Sequence, residues 1–325
     1  MADWWKVSLI AASNVLLSIS IVFANKAVFA IYRWNFTYAL TLLHTITTVL
    51  GMYGFAALKI YQPKQLSKLK LLPLALAFVG YVVTQNISLR LNTVSFYQIS
   101  KISITPGVLV LEAFLFRRYP STKELLSVLV VCLGVALATV TDTQMGSNML
   151  GVLVGFGAVV VTAVYQVLAG SKQKELQASS MQLLHQYCPM AAICLGILVP
   201  IFEPLGTTNP TPTTILGYNY TVQSISAIAI SSVLGLLVSL TTFFLIGATS
   251  SVTYNVVGHM KTVFILAGGC FFFGDEMPVK KFCGIAIAMT GIFWYSHLKL
   301  STGTLVAPKT IDSATPNKHK ASMTA

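Results

Sequence analysis

Long apolar runs alternate with short polar breaks along the whole chain. A helix needs about 20 mostly apolar residues to cross a bilayer. On that ruler ten runs read as spans: residues 7–30, 34–58, 71–89, 94–116, 125–140, 150–169, 183–202, 222–246, 252–273 and 282–297. Lipid offers no hydrogen-bond partner to backbone N–H and C=O groups, so each span is predicted to be a helix. The breaks are too short to house a soluble catalytic domain. The predicted fold is therefore an all-α integral membrane protein with ten transmembrane helices. Residues 1–6 form a cytosolic N-terminus, and the polar, lysine-dotted stretch 301–325 reads as a disordered cytosolic tail.

Composition agrees with that pattern. Hydrophobic residues make up 55% of the chain and charged residues 9%. A soluble domain carries roughly a quarter charged residues, so this chain cannot cover itself with charge. The formal net charge of +12 is mostly topology. Fourteen of the 21 basic residues fall on the side that holds both termini, and four (Arg33, Arg90, Lys280, Lys281) fall on the other. The positive-inside rule makes the first side cytosolic. No basic patch interleaves with aromatics in a soluble domain, so nucleic acid is not an expected partner. Cys132, Cys188, Cys194, Cys270 and Cys283 all lie in spans without CxxC spacing and read as small core residues, with no metal site. No cleavable leader or transit segment is expected before the first span. The sequon Asn219-Tyr220-Thr221 lies in the long non-cytosolic break 203–221, but its nearness to the next span argues against occupancy.

The chain also repeats itself. "NTVSFYQISKI" from Asn92 opens the fourth span, and "SSVTYNVVGHMKT" from Ser250 opens the ninth. Each block places a lysine a short way into its helix. The fourth span of one group of five matches the fourth span of the next. With an odd number of spans per group, the two groups, 7–140 and 141–300, must be inverted in the membrane. Inverted halves with polar residues near the midplane point to a secondary transporter.

Three basic residues fall inside spans: Lys26, Lys101 and Lys261. A lysine at the bilayer centre costs about 2.5–3.5 kcal/mol on insertion scales. Lys261 lies about 15 Å along its helix, near the midplane, and Lys101 lies at comparable depth from the other side. Lys26 is nearer a membrane face and can snorkel. The one acid well inside a span, Glu112, is roughly 16 Å from Lys101 along the same helix, too far to neutralise it. The result is a positive cavity that suits an anion, with phosphate the natural candidate. His259 is two residues from Lys261, about 200° around a regular helix, so the two cannot share a cavity unless Gly258 relaxes the turn. A histidine bonded to a neighbouring helix is an equal reading, and the default for His44 and His185. Aromatic and amide residues recur at similar depths: Tyr97 and Gln98, Tyr165 and Gln166, Gln186 and Tyr187, Tyr254 and Asn255. They can stack on a base and hydrogen-bond a base or sugar edge. Pro106 and Pro189 are expected to kink their helices.

Those blocks carry a family resemblance. "SSVTYNVVGHMKT" resembles the signature helix of the nucleotide-sugar transporters in the drug/metabolite transporter superfamily, in the branch marked by a Lys-Thr pair, here Lys261-Thr262. Supporting blocks are "SISIVFANKAVF" from Ser18, "SFYQISKISITP" from Ser95, "KQKELQASSMQLLHQYCP" from Lys172 and "GIFWYSHLKL" from Gly291. The resemblance covers roughly residues 5–300. It implies ten helices in two inverted five-helix repeats, no cofactor, and no enzymatic step. It also implies a Golgi membrane location, with the endoplasmic reticulum as the alternative, and exchange of a cytosolic UDP-sugar for lumenal UMP. The blocks look like transporters of UDP-xylose, UDP-galactose or UDP-rhamnose, without separating these sugars. Under this resemblance Lys261 and Lys101 hold the diphosphate and Thr262 adds a hydroxyl. Asn25 and Lys26 help from the first span. Tyr97, Gln98, Tyr254, Asn255 and His259 contact base or sugar. UDP-sugar, UMP and membrane lipid are the expected partners, and a homodimer is an assembly open to it. The plastid sugar-phosphate translocators are similar over the same helices but carry Lys-Arg at Lys261-Thr262. An intramembrane enzyme acting on phosphorylated lipid is the third reading, and it lacks paired carboxylates or an HExxH motif.

Overall fold

The computed structural model describes residues 4–91, 101, 103–117, 119–139, 149–273 and 279–301, with backbone alone at several positions that include Lys26 and Thr262. Among these residues there are ten α-helices. They are α1 (Trp4–Lys26, continued by a π turn Ala27–Ile31), α2 (Thr37–Ala57), α3 (Lys68–Leu91), α4 (Ile104–Phe116) and α5 (Thr122–Thr139). Then come α6 (Met149–Glu175), α7 (Ser180–Phe202), α8 (Val222–Ala248), α9 (Ser251–Phe273) and α10 (Val279–Ser301). Each overlaps one predicted span, α4 covering the second half of the fourth. Six of them (α1, α2, α3, α6, α7, α8) are long and apolar enough to cross a membrane by length and composition. The start of the fourth predicted span, 92–100, lies outside the described residues, as does the tail 302–325.

Local sequence explains several boundaries. Ser179 and Thr221 cap α7 and α8, each accepting from the backbone N–H three residues on, with Gln182 and Ser224 closing reciprocal capping boxes. Helix α2 has no side-chain cap of its own at Phe36. Its N-terminus is capped from another helix: Glu203, just past the end of α7, accepts from the backbone N–H of Tyr38 at 2.7 Å and of Ala39 at 2.9 Å. A buried carboxylate is stable there because the helix N-terminus supplies both donors and a favourable dipole. Lys101 is helical, Ser103 is a turn and α4 starts at Ile104, so the fourth span is interrupted just before Pro106, which sits in the first turn of α4 where a missing N–H costs nothing. Pro189 lies inside a continuous α7.

The most extensive helix contacts are α5 with α10, α3 with α6, α2 with α7, α1 with α8, α2 with α8, α3 with α7, α4 with α6, α1 with α9 and α9 with α10. Adding five to each helix number, counting around from ten to one, returns all of these pairs except α9 with α10, whose counterpart α4 with α5 touches much less among the described residues. Helices 1–5 and 6–10 therefore interleave, and each of the first five has a major partner among the second five. Packing in a lipid setting relies on close backbone approach at small residues. At the α5–α10 crossing, a Cβ on Gly134 would lie 2.3 Å from the Ala288 backbone nitrogen, and one on Gly291 would lie 2.7 Å from Val131. Buried apolar side chains gather in two clusters. One is built on α2, α3, α6, α7 and α8, and the other on α4, α5, α6, α9 and α10.

Candidate functional site

Helix α9 sorts its polar residues by face. Tyr254, Gly258 and Lys261 stand at i, i+4 and i+7 and share one face. Lys261 is half-buried, and its Nζ lies 5.3 Å from the centre of the Tyr254 ring, a cation–π contact. Among the described residues no carboxylate is paired with it. Among the described residues, a Cβ on Gly258 would meet nothing within 4 Å, so this face of α9 opens on free space at Gly258. Lys101 is exposed. A cation held over Tyr254 beside open space is an arrangement that attracts a small anion.

The opposite face of α9 is committed to neighbouring helices. His259 is buried, and its Nε2 lies 2.7 Å from the hydroxyl of Thr105 on α4. Asn255 donates to the Gln166 side chain on α6 in a short hydrogen bond, and to the Ser251 carbonyl at 3.0 Å. The helix continues as a regular α-helix through Gly258, so His259 and Lys261 face different ways. Of the other residues singled out in the sequence, Asn25 on α1 accepts a short hydrogen bond from Ser231 on α8. The same hydroxyl lies 2.8 Å from His44 Nε2 on α2. Because the Ser231 proton goes to Asn25, the imidazole donates through Nε2. Gly235 makes room for that ring, since a Cβ there would lie 2.8 Å from it. Tyr97 and Gln98 lie outside the described residues, as do the side chains of Lys26 and Thr262. Gln186 turns to the backbone carbonyl of Lys64 at 3.1 Å.

Several residues that the span pattern did not single out join the site. Tyr81 on α3 stacks on Tyr165 at 5.4 Å with planes 3° apart. Gln85, one turn from Tyr81, donates to Thr162 on α6 at 2.9 Å. Asn14 on α1 donates to Thr241 at 2.9 Å and to Thr242 at 3.1 Å on α8. Both amides leave a buried carbonyl oxygen without a partner. The signal in the sequence was available, because an amide inside an apolar run is costly unless it is bonded. A cavity of about 580 Å³ between α4 and α6 is lined almost wholly by apolar side chains, with Ser103 its one polar lining residue, so it is not the anion site.

The model of the Triose-phosphate Transporter family matches residues 6–296 of this chain. The chain belongs to that family. It is 35% identical over 284 residues to UDP-xylose transporter 2 of Arabidopsis thaliana, covering 87% of this chain and 79% of that one. It is 34% identical over 288 residues to UDP-rhamnose/UDP-galactose transporter 1 of the same plant, covering 88% and 81%. A solved crystal structure superposes with a TM-score of 0.70 at 13% identity, over 91% of this chain and 98% of that chain, a likeness of fold alone. The chain is accordingly a multi-helix membrane protein whose named relatives are nucleotide-sugar transporters.

Proposed function

We propose that this protein exchanges a cytosolic UDP-sugar for lumenal UMP across the Golgi membrane. The observation that carries the reading is Lys261: a cation within an apolar helix, stacked on Tyr254, beside open space and without a carboxylate among the described residues. A diphosphate supplies the missing negative charge, and Lys101 adds a second positive one. The relatives' names supply the uridine part of the ligand. Alternating access follows from two inverted five-helix repeats, 7–140 and 141–300, rocking about this site. The pattern of helix pairs, which a shift of five returns with one exception, supports that division. Both termini lie in the cytosol on the strength of the basic asymmetry. An empty carrier leaves Lys261 without an anion, which disfavours crossing unloaded and couples the two half-cycles.

The test is uptake of radiolabelled UDP-xylose, UDP-galactose and UDP-rhamnose by proteoliposomes. Uptake should require UMP preloaded inside, and the sugar nucleotide should be recovered unchanged. Equal uptake without UMP would overturn the exchange, and conversion of the ligand would make the protein an enzyme. A second reading, sugar-phosphate for phosphate exchange, is favoured by the family's own description. It requires that inorganic phosphate replace UMP as the internal counter-ligand. The threonine at Lys261-Thr262, in place of a second cation, weighs against that less esterified and more highly charged ligand.

A further inference from the structure

Helix α1 presents a polar stripe to α8 made of Asn14, Ser18 and Asn25, at i, i+4 and i+11. Asn25 is bonded to Ser231. The other two are not fully bonded. Asn14 is 0% exposed and Ser18 9%, yet Asn14 Oδ1 and Ser18 Oγ have no hydrogen-bond partner. In a lipid-embedded core an unpaired acceptor is costly, more so than its removal. A pair of them, one turn apart, needs an occupant in some state of the cycle.

The orientation of Asn14 is fixed by its neighbours. Thr241 donates its hydroxyl proton to the Leu237 carbonyl at 2.9 Å and shares it with Val238 at 3.1 Å. Its oxygen can then only accept. Both Asn14 amide protons point at threonine oxygens, one on Thr241 and one on Thr242. A flipped amide would set Oδ1 against the Thr241 oxygen, which has no proton left to give, so the orientation with Oδ1 turned away from Thr241 is the bonded one. Ser18, one turn along, retains a hydroxyl proton to donate. The stripe therefore offers a fixed acceptor next to a free donor. Helix α9, packed against both α1 and α8, carries Tyr254 with Lys261 over its ring.

We propose that Asn14 and Ser18 read the imide edge of the nucleobase, Asn14 Oδ1 accepting from N3–H and Ser18 Oγ donating to the adjacent carbonyl. The inference rests on the nucleotide reading of the Lys261 site and assigns its specificity. Uracil presents a donor flanked by acceptors on that edge. Cytosine presents an acceptor at N3, which meets Asn14 Oδ1 oxygen to nitrogen lone pair and leaves both unpaired. Because α1 belongs to the first five helices and α8 to the second, the seam between them opens and closes as the halves rock. Closure around the base is what pairs the two buried atoms. Phosphate binding at Lys261 is common to every nucleotide; the base edge is where they differ.

The experiment measures binding of UMP, N3-methyl-UMP and CMP to the purified full-length protein. N3-methyl-UMP keeps the ribose, phosphate and ring and sets a methyl group where the donor proton stood. Wild type should bind UMP roughly 5- to 150-fold more tightly than N3-methyl-UMP or CMP, the range for one buried group left unpaired. Asn14→Leu should bring the UMP to N3-methyl-UMP ratio close to one. Ser18→Ala should weaken UMP while keeping that ratio. Equal binding of UMP and N3-methyl-UMP by wild type overturns the proposal without any variant, and assigns the unpaired oxygen to another donor such as a sugar hydroxyl or water. An unchanged ratio in Asn14→Leu overturns it as well. Wild type that binds none of the three contradicts the nucleotide reading itself, a separate failure.

Discussion

On single residues, the two faces of α9 make opposite demands. The open face carries Tyr254, Gly258 and Lys261, and the closed face carries Asn255 and His259. Filling the open face should interfere with ligand and spare the fold. Gly258→Leu is expected to lower UMP affinity roughly tenfold or more, with an unchanged melting temperature, because its side chain enters space that nothing else occupies. The closed face should behave in reverse. Thr105→Val leaves the buried His259 nitrogen without its partner and should destabilise the protein by about 1–3 kcal/mol, with UMP affinity retained. Thermal denaturation and ligand binding on the same samples separate the two. The lysines stood out in the sequence because charge inside an apolar run is costly. The division of roles between His259 and Lys261 was left open, and the structure places them on different faces. Asn14, Ser18 and Gln85 escaped notice because a lone amide or hydroxyl in a span is common, and only its partners reveal which atom is left over.

Helices meet most closely where α5 crosses α10. Gly134 faces the Ala288 and Gly284 backbone with no room for a side chain. Gly134→Leu should force the pair apart and lower stability by about 1–3 kcal/mol or more, read as a drop in melting temperature. Ten helices were visible in the apolar pattern because spans must exceed a fixed length, and that length is written in the sequence. Their ends were less visible. Helix α6 runs on to Glu175, six residues past the apolar run, because Lys172 and Glu175 pair at 2.6 Å in its last turn. Glu203 read as the start of a loop. Its role as the cap of α2 depends on a contact 164 to 165 positions away, which no local pattern encodes.

For the molecule as a whole, the account joins two interleaved sets of five helices to an anion held between them. Topology is checked independently of the ligand. Single cysteines in the 60–70 loop should label from the cytosol and those in the 204–218 loop only from the lumen; the reverse pattern would remove the two-sided arrangement. The central claim is that Lys261 is present because a phosphate-bearing ligand supplies its counter-charge. Its most direct test is UMP binding to wild type and to Lys261→Ala, with a ligand-free melting curve for each. A charge-assisted hydrogen bond contributes roughly 1.5–3 kcal/mol, so affinity should fall about 10- to 150-fold in the alanine variant. Its melting temperature should hold or rise, since a half-buried cation has been removed. An alanine variant that melts like wild type and binds UMP just as tightly would contradict the account, and would make Lys261 a structural residue.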